Sequence, residues 1–295
     1  MSGRGTSPYP IQWLFPVLIL VIIFTVYPFA YAIYSSFFQI LLVLPTQPFV
    51  GLKNYAQVLN SVYFREALTN TLIFMAITSP VIVICALGVA RLLLTKFVGR
   101  GILRAVILLP WAIPGSITGI LWFWIFHDQW GVLNAILIKL HLISTGIEWL
   151  ENSTLAKFSV MVAHIWTQIP FASVLLMAAL TTINKELYEA AEVDGAGPLR
   201  RLIHVTIPHV MSMMGVAFIY ELIMGLTTYD VTYSMTGGGP GGATTLLSYY
   251  IWAESFSQLH FGRGAALGVI TALITLGLIM LIIRAIPGGL KVQEE

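Results

Sequence analysis

Residues 13–37 read WLFPVLILVIIFTVYPFAYAIYSSF, and no charged residue occurs between Arg4 and Lys53. A bilayer core about 30 Å thick is spanned by about 20 mostly apolar helical residues, so Trp13–Phe37 reads as a membrane span. It is too long for the apolar region of a secretory signal and no A-x-A-like site follows, so it reads as an uncleaved anchor. Five further apolar runs follow, at Leu68–Ala90, Ala105–Phe126, Phe158–Leu180, Val210–Tyr233 and Ala265–Ile283. The expected fold is therefore all-α: a polytopic membrane helical bundle of six spans with both ends on one side. It forms a single transmembrane domain over residues 1–295.

Composition agrees. The 295 residues are 58% hydrophobic and 9% charged, against roughly 45–50% and about 25% in soluble domains. A soluble domain of this size could not hide that much apolar surface. This excludes a soluble enzyme, a nucleic-acid binder and a disordered chain. The net charge of +2 is uninformative, but charge placement is not. With the N-terminus cytoplasmic, that side carries Arg4, Arg91, Lys96, Arg100, Arg104, Lys185, Arg200, Arg201, Arg284 and Lys291. The opposite side carries only Lys53, Arg65, Lys139, Lys157 and Arg263. The positive-inside bias places both termini in the cytoplasm. The one cysteine, Cys85, lies in an apolar run and reads as a buried structural thiol.

Catalytic signatures are missing. There is no Gly-Lys pair and hence no P-loop. Gly237–Gly242 lacks the strand-to-helix context of a dinucleotide fingerprint and reads as a flexible external turn. No H-E-x-x-H, C-x-x-C or G-x-S-x-G occurs, and the six histidines lack metal-ligand spacing. No catalytic residue and no metal site is expected.

The spans themselves carry proline and polar groups. Pro110, Pro114, Gly115 and Gly119 fall in the third, and Pro170 in the fourth. Proline frees a carbonyl one turn back, which lipid cannot satisfy. Small residues such as Gly115, Ser116 and Gly119 permit close helix contact. Glu221 sits mid-span and Asp230 nine residues later. Such intramembrane charges cost at least about 2.5–3.5 kcal/mol and face a bundle interior or a pathway. On an unbroken helix the two point to opposite faces and share no site unless Gly225 bends the span, while Glu221, Gly225 and Thr228 share one face. His164, Thr167 and Gln168 form a polar stripe beside Trp166. The stripe serves either interhelical hydrogen bonding or a sugar, which is bound by planar polar groups and aromatic faces. Trp122 and Trp124 are either interface anchors or part of the same path.

Between spans four and five lies Asn184-Lys185-Glu186-Leu187-Tyr188-Glu189-Ala190-Ala191-Glu192-Val193-Asp194-Gly195-Ala196-Gly197-Pro198-Leu199-Arg200-Arg201-Leu202. Its first half is helical by propensity, Gly195 is a stop and Pro198 a first-turn residue. With Pro208 opening the next span, residues 181–208 read as short helix, sharp turn, short helix. Ala190, Ala191 and Gly195 leave a smooth face for another protein, and Arg200 and Arg201 suit acidic groups or lipid headgroups. On spacing alone this is either a docking element or a polar loop.

This segment resembles the EAA loop of bacterial ABC importer permeases. Glu189-Ala190-Ala191 is followed after three residues by Gly195, and after nine more by Val205-Thr206-Ile207-Pro208. Asp194-Gly195-Ala196 fits the extended form in carbohydrate importers. Tyr229-Asp230, Tyr233, Thr236–Pro240 and Thr244–Phe256 are similar to the fifth-span exit of maltose-type and glycerol-phosphate-type permeases. Phe49–Tyr55 resembles the segment after their first span. The likeness is closer to the first of the two permeases in such importers.

The resemblance implies a type I ABC importer permease fold in a bacterial or archaeal inner membrane. It implies a complex with a second homologous permease, two ATPase subunits and an external solute-binding protein. ATP and Mg belong to the partner ATPase, and this chain binds no cofactor of its own. ATPase coupling falls to Glu186, Glu189, Ala190, Ala191, Asp194, Gly195, Ala196, Arg200 and Pro208. The substrate pathway falls to His164, Trp166, Gln168, Glu221, Tyr229 and Asp230, and the solute is a carbohydrate or polyol. No Lys or Arg lies inside the spans, which disfavours an anionic solute unless the second permease supplies the cation. The rival reading is a secondary transporter using Glu221 or Asp230 for ion coupling, but the six spans show no inverted repeat.

Overall fold

The computed structural model describes residues 14–41 and 45–285; Arg4, Trp13 and Lys291 lie outside the described residues. Regular structure there is helical apart from isolated bridges pairing Phe38 with Phe49 and Leu41 with His260. Among the described residues, five helices are long and apolar enough to cross a membrane, and a sixth span exists if one bent pair counts as one. The chain divides into two compact units.

The first unit comprises residues up to Ser61 and Ile251–Leu273. Helix α1 (Phe15–Ser36) opens it, interrupted by a π turn at Ile22–Val26. Pro28 explains that turn: it has no N–H to give the carbonyl four residues back, and a wider i→i+5 turn relieves the misfit. Helix α2 (Lys53–Asn60) follows a left-handed turn at Gly51 (φ 55°). The Asn54 amide donates to the Ser36 and Phe38 carbonyls at 2.8 and 2.9 Å, and the Tyr55 and Ser36 hydroxyls meet at 2.6 Å. The Phe49–Tyr55 stretch is thus a clip on the end of α1. In the same unit buried Glu254 pairs with Arg263 Nε at 3.2 Å and with His260.

The second unit holds Val62–Tyr250 and residues from Ile274 onward. Helix α3 (Val62–Leu94) runs 33 residues, about 50 Å at 1.5 Å per residue. Arg100 Nε and Arg104 bond the Leu93 carbonyl at 2.6 and 3.2 Å, satisfying its C-terminal end. Ile82, Val83, Ala86, Leu87 and Ala90 form its buried stripe. Cys85 is exposed, not buried as its apolar setting suggests. An apolar run in a membrane helix covers every side, so it does not say which side is packed.

The third expected span, Ala105–Phe126, is not one helix. Helices α4 (Arg100–Val106) and α5 (Leu109–Ala112) precede α6 (Gly115–Ile125), and the chain bends by 99° at the break. Proline disfavours helical backbone in the residue before it, and Ile113, before Pro114, is extended (ψ 128°). Helix α7 (Val132–Lys139) follows. Helix α8 (Ser153–Thr181) continues through Pro170 and packs on α3 through Ala172, Leu176 and Leu180.

Helix α9 (Lys185–Val193) precedes α10 (Pro198–Thr227). The loop's second short helix is therefore continuous with the fifth span. A π turn at Leu202–Thr206 again ends two residues before a proline, here Pro208. The helix starts well before the expected Val210 and stops at Thr227, short of the expected Tyr233. Thr228 is extended (ψ 110°) and α11 (Asp230–Thr236) begins anew. Glu221 and Asp230 thus lie on different helices, and the opposite-face argument does not apply to them. Helices α12 (Leu247–Trp252) and α13 (Phe261–Ala285) complete the described chain.

Candidate functional site

Helix α9 starts with the Asn184 carboxamide accepting the Glu186 N–H at 3.2 Å. It ends at Gly195, which takes φ 76°. The Ala196 N–H reaches the Ala191 carbonyl at 2.8 Å, and the Gly195 N–H reaches the Glu192 carbonyl at 3.0 Å. These two bonds form a Schellman cap, which needs a residue tolerant of the left-handed region. Glu186, Glu189, Ala190, Asp194, Gly195 and Arg200 are exposed, as is Pro208, while Ala191 and Ala196 are half-buried. Val193 is 88% exposed and Leu199 68%. The loop therefore presents a fixed acidic and apolar surface outward. Arg201, expected to suit an acidic group, pairs with Glu192 at 3.0 Å; Tyr188 and Thr206 belong to the same element, although the spacing does not single them out. Their bonds join residues up to 18 apart, which a motif cannot register.

The pathway residues fall into two groups. His164, Gln168 and Glu221 are inside the second unit: His164 is 1% exposed and Glu221 0%. His164 Nδ1 meets the Thr228 hydroxyl at 3.3 Å and its ring lies 4.9 Å from Phe74. Gly225 lets Met75 and the same Phe74 approach α10. Among the described residues, both Glu221 oxygens, His164 Nε2 and Gln168 Oε1 are buried with no hydrogen-bond partner. Native interiors rarely leave such atoms unpaired.

Tyr229 and Asp230 form the other group. The Asp230 carboxylate lies over the Cα of Gly115, where any side chain at 115 would collide with it. Gly119 lies equally close to α11: a Cβ there would stand 2.7 Å from Ser234 Cβ and 2.9 Å from the Val231 carbonyl. The two glycines thus let α6 and α11 pack backbone to backbone. The Tyr229 ring lies 6.2 Å from Tyr233, and Tyr233 lies 6.5 Å from Tyr249. Trp166 meets Trp122 edge-on at 5.7 Å, and Trp122 stacks on Phe126. Trp124 is 55% exposed and stacks on His127. A further aromatic row, Trp111 on Phe171 (5.4 Å) and Phe171 on Tyr220 (4.6 Å), carries no sequence signal, because its rings come from three distant helices.

The glycine-rich stretch is not a loose turn. Gly237, Gly238, Gly241 and Gly242 all have positive φ. The Thr244 hydroxyl donates to the Gly239 carbonyl at 2.8 Å, and the Tyr249 hydroxyl to the Gly237 carbonyl at 2.8 Å. The Asn70 amide reaches across to the Gly242 and Thr245 carbonyls at 3.1 and 3.2 Å. Burial, then the neighbouring Tyr233, raises the Tyr249 pKa, so its hydroxyl stays a donor. Here glycine serves a tightly bonded, left-handed path rather than mobility.

The family described as "Binding-protein-dependent transport system inner membrane component" matches residues 79–286. The sulfoquinovosyl glycerol transport system permease of Agrobacterium fabrum is 38% identical over 257 residues, covering 86% of this chain and 82% of that one. The trehalose/maltose transport system permease of Thermococcus litoralis is 34% identical, covering 88% of each. The sn-glycerol-3-phosphate transport system permease of Yersinia pestis is 31% identical, covering 99% and 98%. Among solved structures, a chain of a bacterial ABC transporter importing the acidic polysaccharide alginate superimposes with a TM-score of 0.80. It covers 93% of both chains at 21% identity. A second structure of the alginate transporter, in complex with its periplasmic protein bound to an alginate pentasaccharide, also gives 0.80 over 94% and 95% at 20% identity.

Proposed function

The chain belongs to the binding-protein-dependent transport system inner membrane component family, and on that premise we propose that it is one of two permeases in an ATP-driven importer of a carbohydrate. The observation that carries this reading is the capped, outward-facing loop around Glu189 and Gly195, together with relatives whose names are those of sugar and glycerol-phosphate permeases. The comparisons lend nothing to a secondary transporter.

In this reading the chain acts as one transmembrane domain with both termini in the cytoplasm. Residues 181–208 couple to the ATPase pair, and the external protein delivers the solute. Glu186, Glu189, Ala190, Ala191, Asp194, Gly195, Ala196 and Arg200 form the surface that enters the ATPase. ATP and Mg are bound and hydrolysed there, not on this chain. Closure of the ATPase pair draws the loops together and opens the bundle outward, and hydrolysis resets it. The driving force is the differential affinity of nucleotide for the two states.

The solute is best read as a neutral glycoside. Glu221 is a buried acid, and no Lys or Arg lies in the middle of a spanning helix. A sulfonated or phosphorylated solute, as in two of the relatives' names, needs a cation that the second permease must bring.

Purification of the tagged chain from its native host in mild detergent, followed by mass spectrometry, tests the assignment. An ATPase subunit and a second six-span chain are expected beside it. A chain that comes alone and transports in vesicles without ATP overturns it. For the pathway, Gln168→Leu and Glu221→Gln are expected to change the half-saturation or choice of sugar across a labelled panel. They remove a buried amide or carboxyl oxygen that has no hydrogen-bond partner among the described residues. Unchanged affinity and selectivity make both residues structural.

A further inference from the structure

The ATPase-facing helix α9 is held to its own chain by a small ring of side chains. None of its nine residues is fully buried. The Tyr188 ring packs against the core formed with Leu180, Ile183 and Val210. Its hydroxyl meets Thr206 Oγ1 at 3.0 Å, and Thr206 is 1% exposed. The Thr206 hydroxyl also lies 3.4 Å from the Arg201 carbonyl. Arg201 Nη1 reaches back to Glu192 Oε2 at 3.0 Å. Tyr188 and Glu192 are four apart and share a face of α9.

Arg201 and Thr206 are five apart. On an α-helix they would diverge by about 140°. They share a face because Leu202–Thr206 is a π turn, in which the Ile207 N–H bonds the Leu202 carbonyl five residues back. Pro208 stands two residues after that turn and has no N–H for the carbonyl four residues before it. The proline that closes the loop pattern therefore sets the register of the ring.

We propose that the Tyr188–Thr206–Arg201–Glu192 ring is the joint through which movement of α9 is passed to the spanning helix α10, with Tyr188 and Thr206 as its positioning residues. This rests on the importer reading above. The exposed Glu192–Arg201 pair is weak on its own in water. The hydroxyl pair, anchored on buried Thr206, is therefore the part that resists hinging. With the ring closed, α9 and α10 move as one body. With it open, nucleotide-driven motion of α9 is absorbed in the Gly195–Gly197 turn.

The test uses the intact complex in lipid nanodiscs, with Cys85→Ser and spin labels at Lys185→Cys on α9 and Thr227→Cys at the far end of α10. A non-hydrolysable ATP analogue is the probe. In the wild-type ring the interlabel distance is expected to stay unchanged when the analogue binds. In Tyr188→Phe and in Thr206→Val it is expected to shift by ~2 Å or more, the scale of helix displacements in switching proteins. The double variant should shift no further, because both substitutions remove the same bond. Thr206→Ser keeps the hydroxyl and should behave as wild type. A structural defect would move the labels with or without nucleotide. Analogue-independent or unchanged distances in both single variants overturn the joint. Absence of an ATPase subunit from the wild-type preparation overturns the importer reading instead.

Discussion

Gly195→Asp is expected to lower the ATPase subunit recovered with the chain by roughly five- to thirtyfold, with the chain still inserted in the membrane. Gly195 holds φ 76° and its N–H closes one of the two bonds that end α9. A residue with a Cβ costs about 1–2 kcal/mol in the left-handed region, with Asp at the low end, and a carboxylate at the C-terminal end of α9 adds about 0.3–1 kcal/mol against the helix dipole; one or two kcal/mol is a factor of about 5–30 in an equilibrium. The cap is exposed and no described atom lies within 4 Å of where the Cβ would be, so the effect is conformational and electrostatic rather than steric. Glu189→Lys should give a loss of the same kind by another route. Its side chain is exposed and takes no part in the bonds of the cap, so the change alters the docking charge and leaves the helix intact. Quantitative mass spectrometry of the detergent-purified complex reads both. Wild-type recovery and ATP-dependent uptake in both variants would remove the docking role from this loop.

Gly119→Val is expected to destabilise the contact between α6 and α11. Its side chain would enter a gap where a Cβ already stands 2.7 Å from Ser234 Cβ and 2.9 Å from the Val231 carbonyl. The obstacle on one side is backbone, which cannot rotate away. Overpacking of this kind costs typically about 1–3 kcal/mol. Either α6 moves off α11 or the bend at Pro114 changes. In both cases the Asp230 carboxylate leaves its place over Gly115. Thermal unfolding of the purified chain, followed by tryptophan fluorescence, should show a midpoint several °C lower, since about 1 kcal/mol shifts a chain of about 150–250 residues by about 2–4 °C. Gly268→Val is the control, because nothing lies within 4 Å of a Cβ there. Equal midpoints for the two variants would mean that the α6–α11 approach is not a tight one.

What could be read in the sequence was what chain-local chemistry dictates. Uninterrupted apolar runs gave the helices and the membrane setting, because a spanning backbone must satisfy its own polar groups. The loop pattern at Glu189–Pro208 was legible because helix stop, turn and restart depend on residues adjacent in the chain. Gly195 takes the left-handed conformation that its place predicts. Gly115 and Gly119 as close-packing residues were also readable, though not their partner.

Tertiary structure decided the rest. The side of α3 that faces the core, and so the exposure of Cys85, depends on neighbours when every face is apolar. Prolines signal a break but not its size, so the 99° bend before α6 was not in the pattern. Glu221 and Asp230 lie nine positions apart in the chain, yet the end of α10 at Thr227 puts them on separate helices. The glycine-rich stretch reads as mobile by composition, but Asn70, Thr244 and Tyr249 bond its carbonyls. Tyr188 and Thr206 carry no local signal at all, since a hydrogen bond between residues 18 apart exists only once the π turn has set their register. Sequence alone determines what each segment must hide from water or lipid; which atoms meet depends on how the segments pack, because that choice is made between residues far apart in the chain.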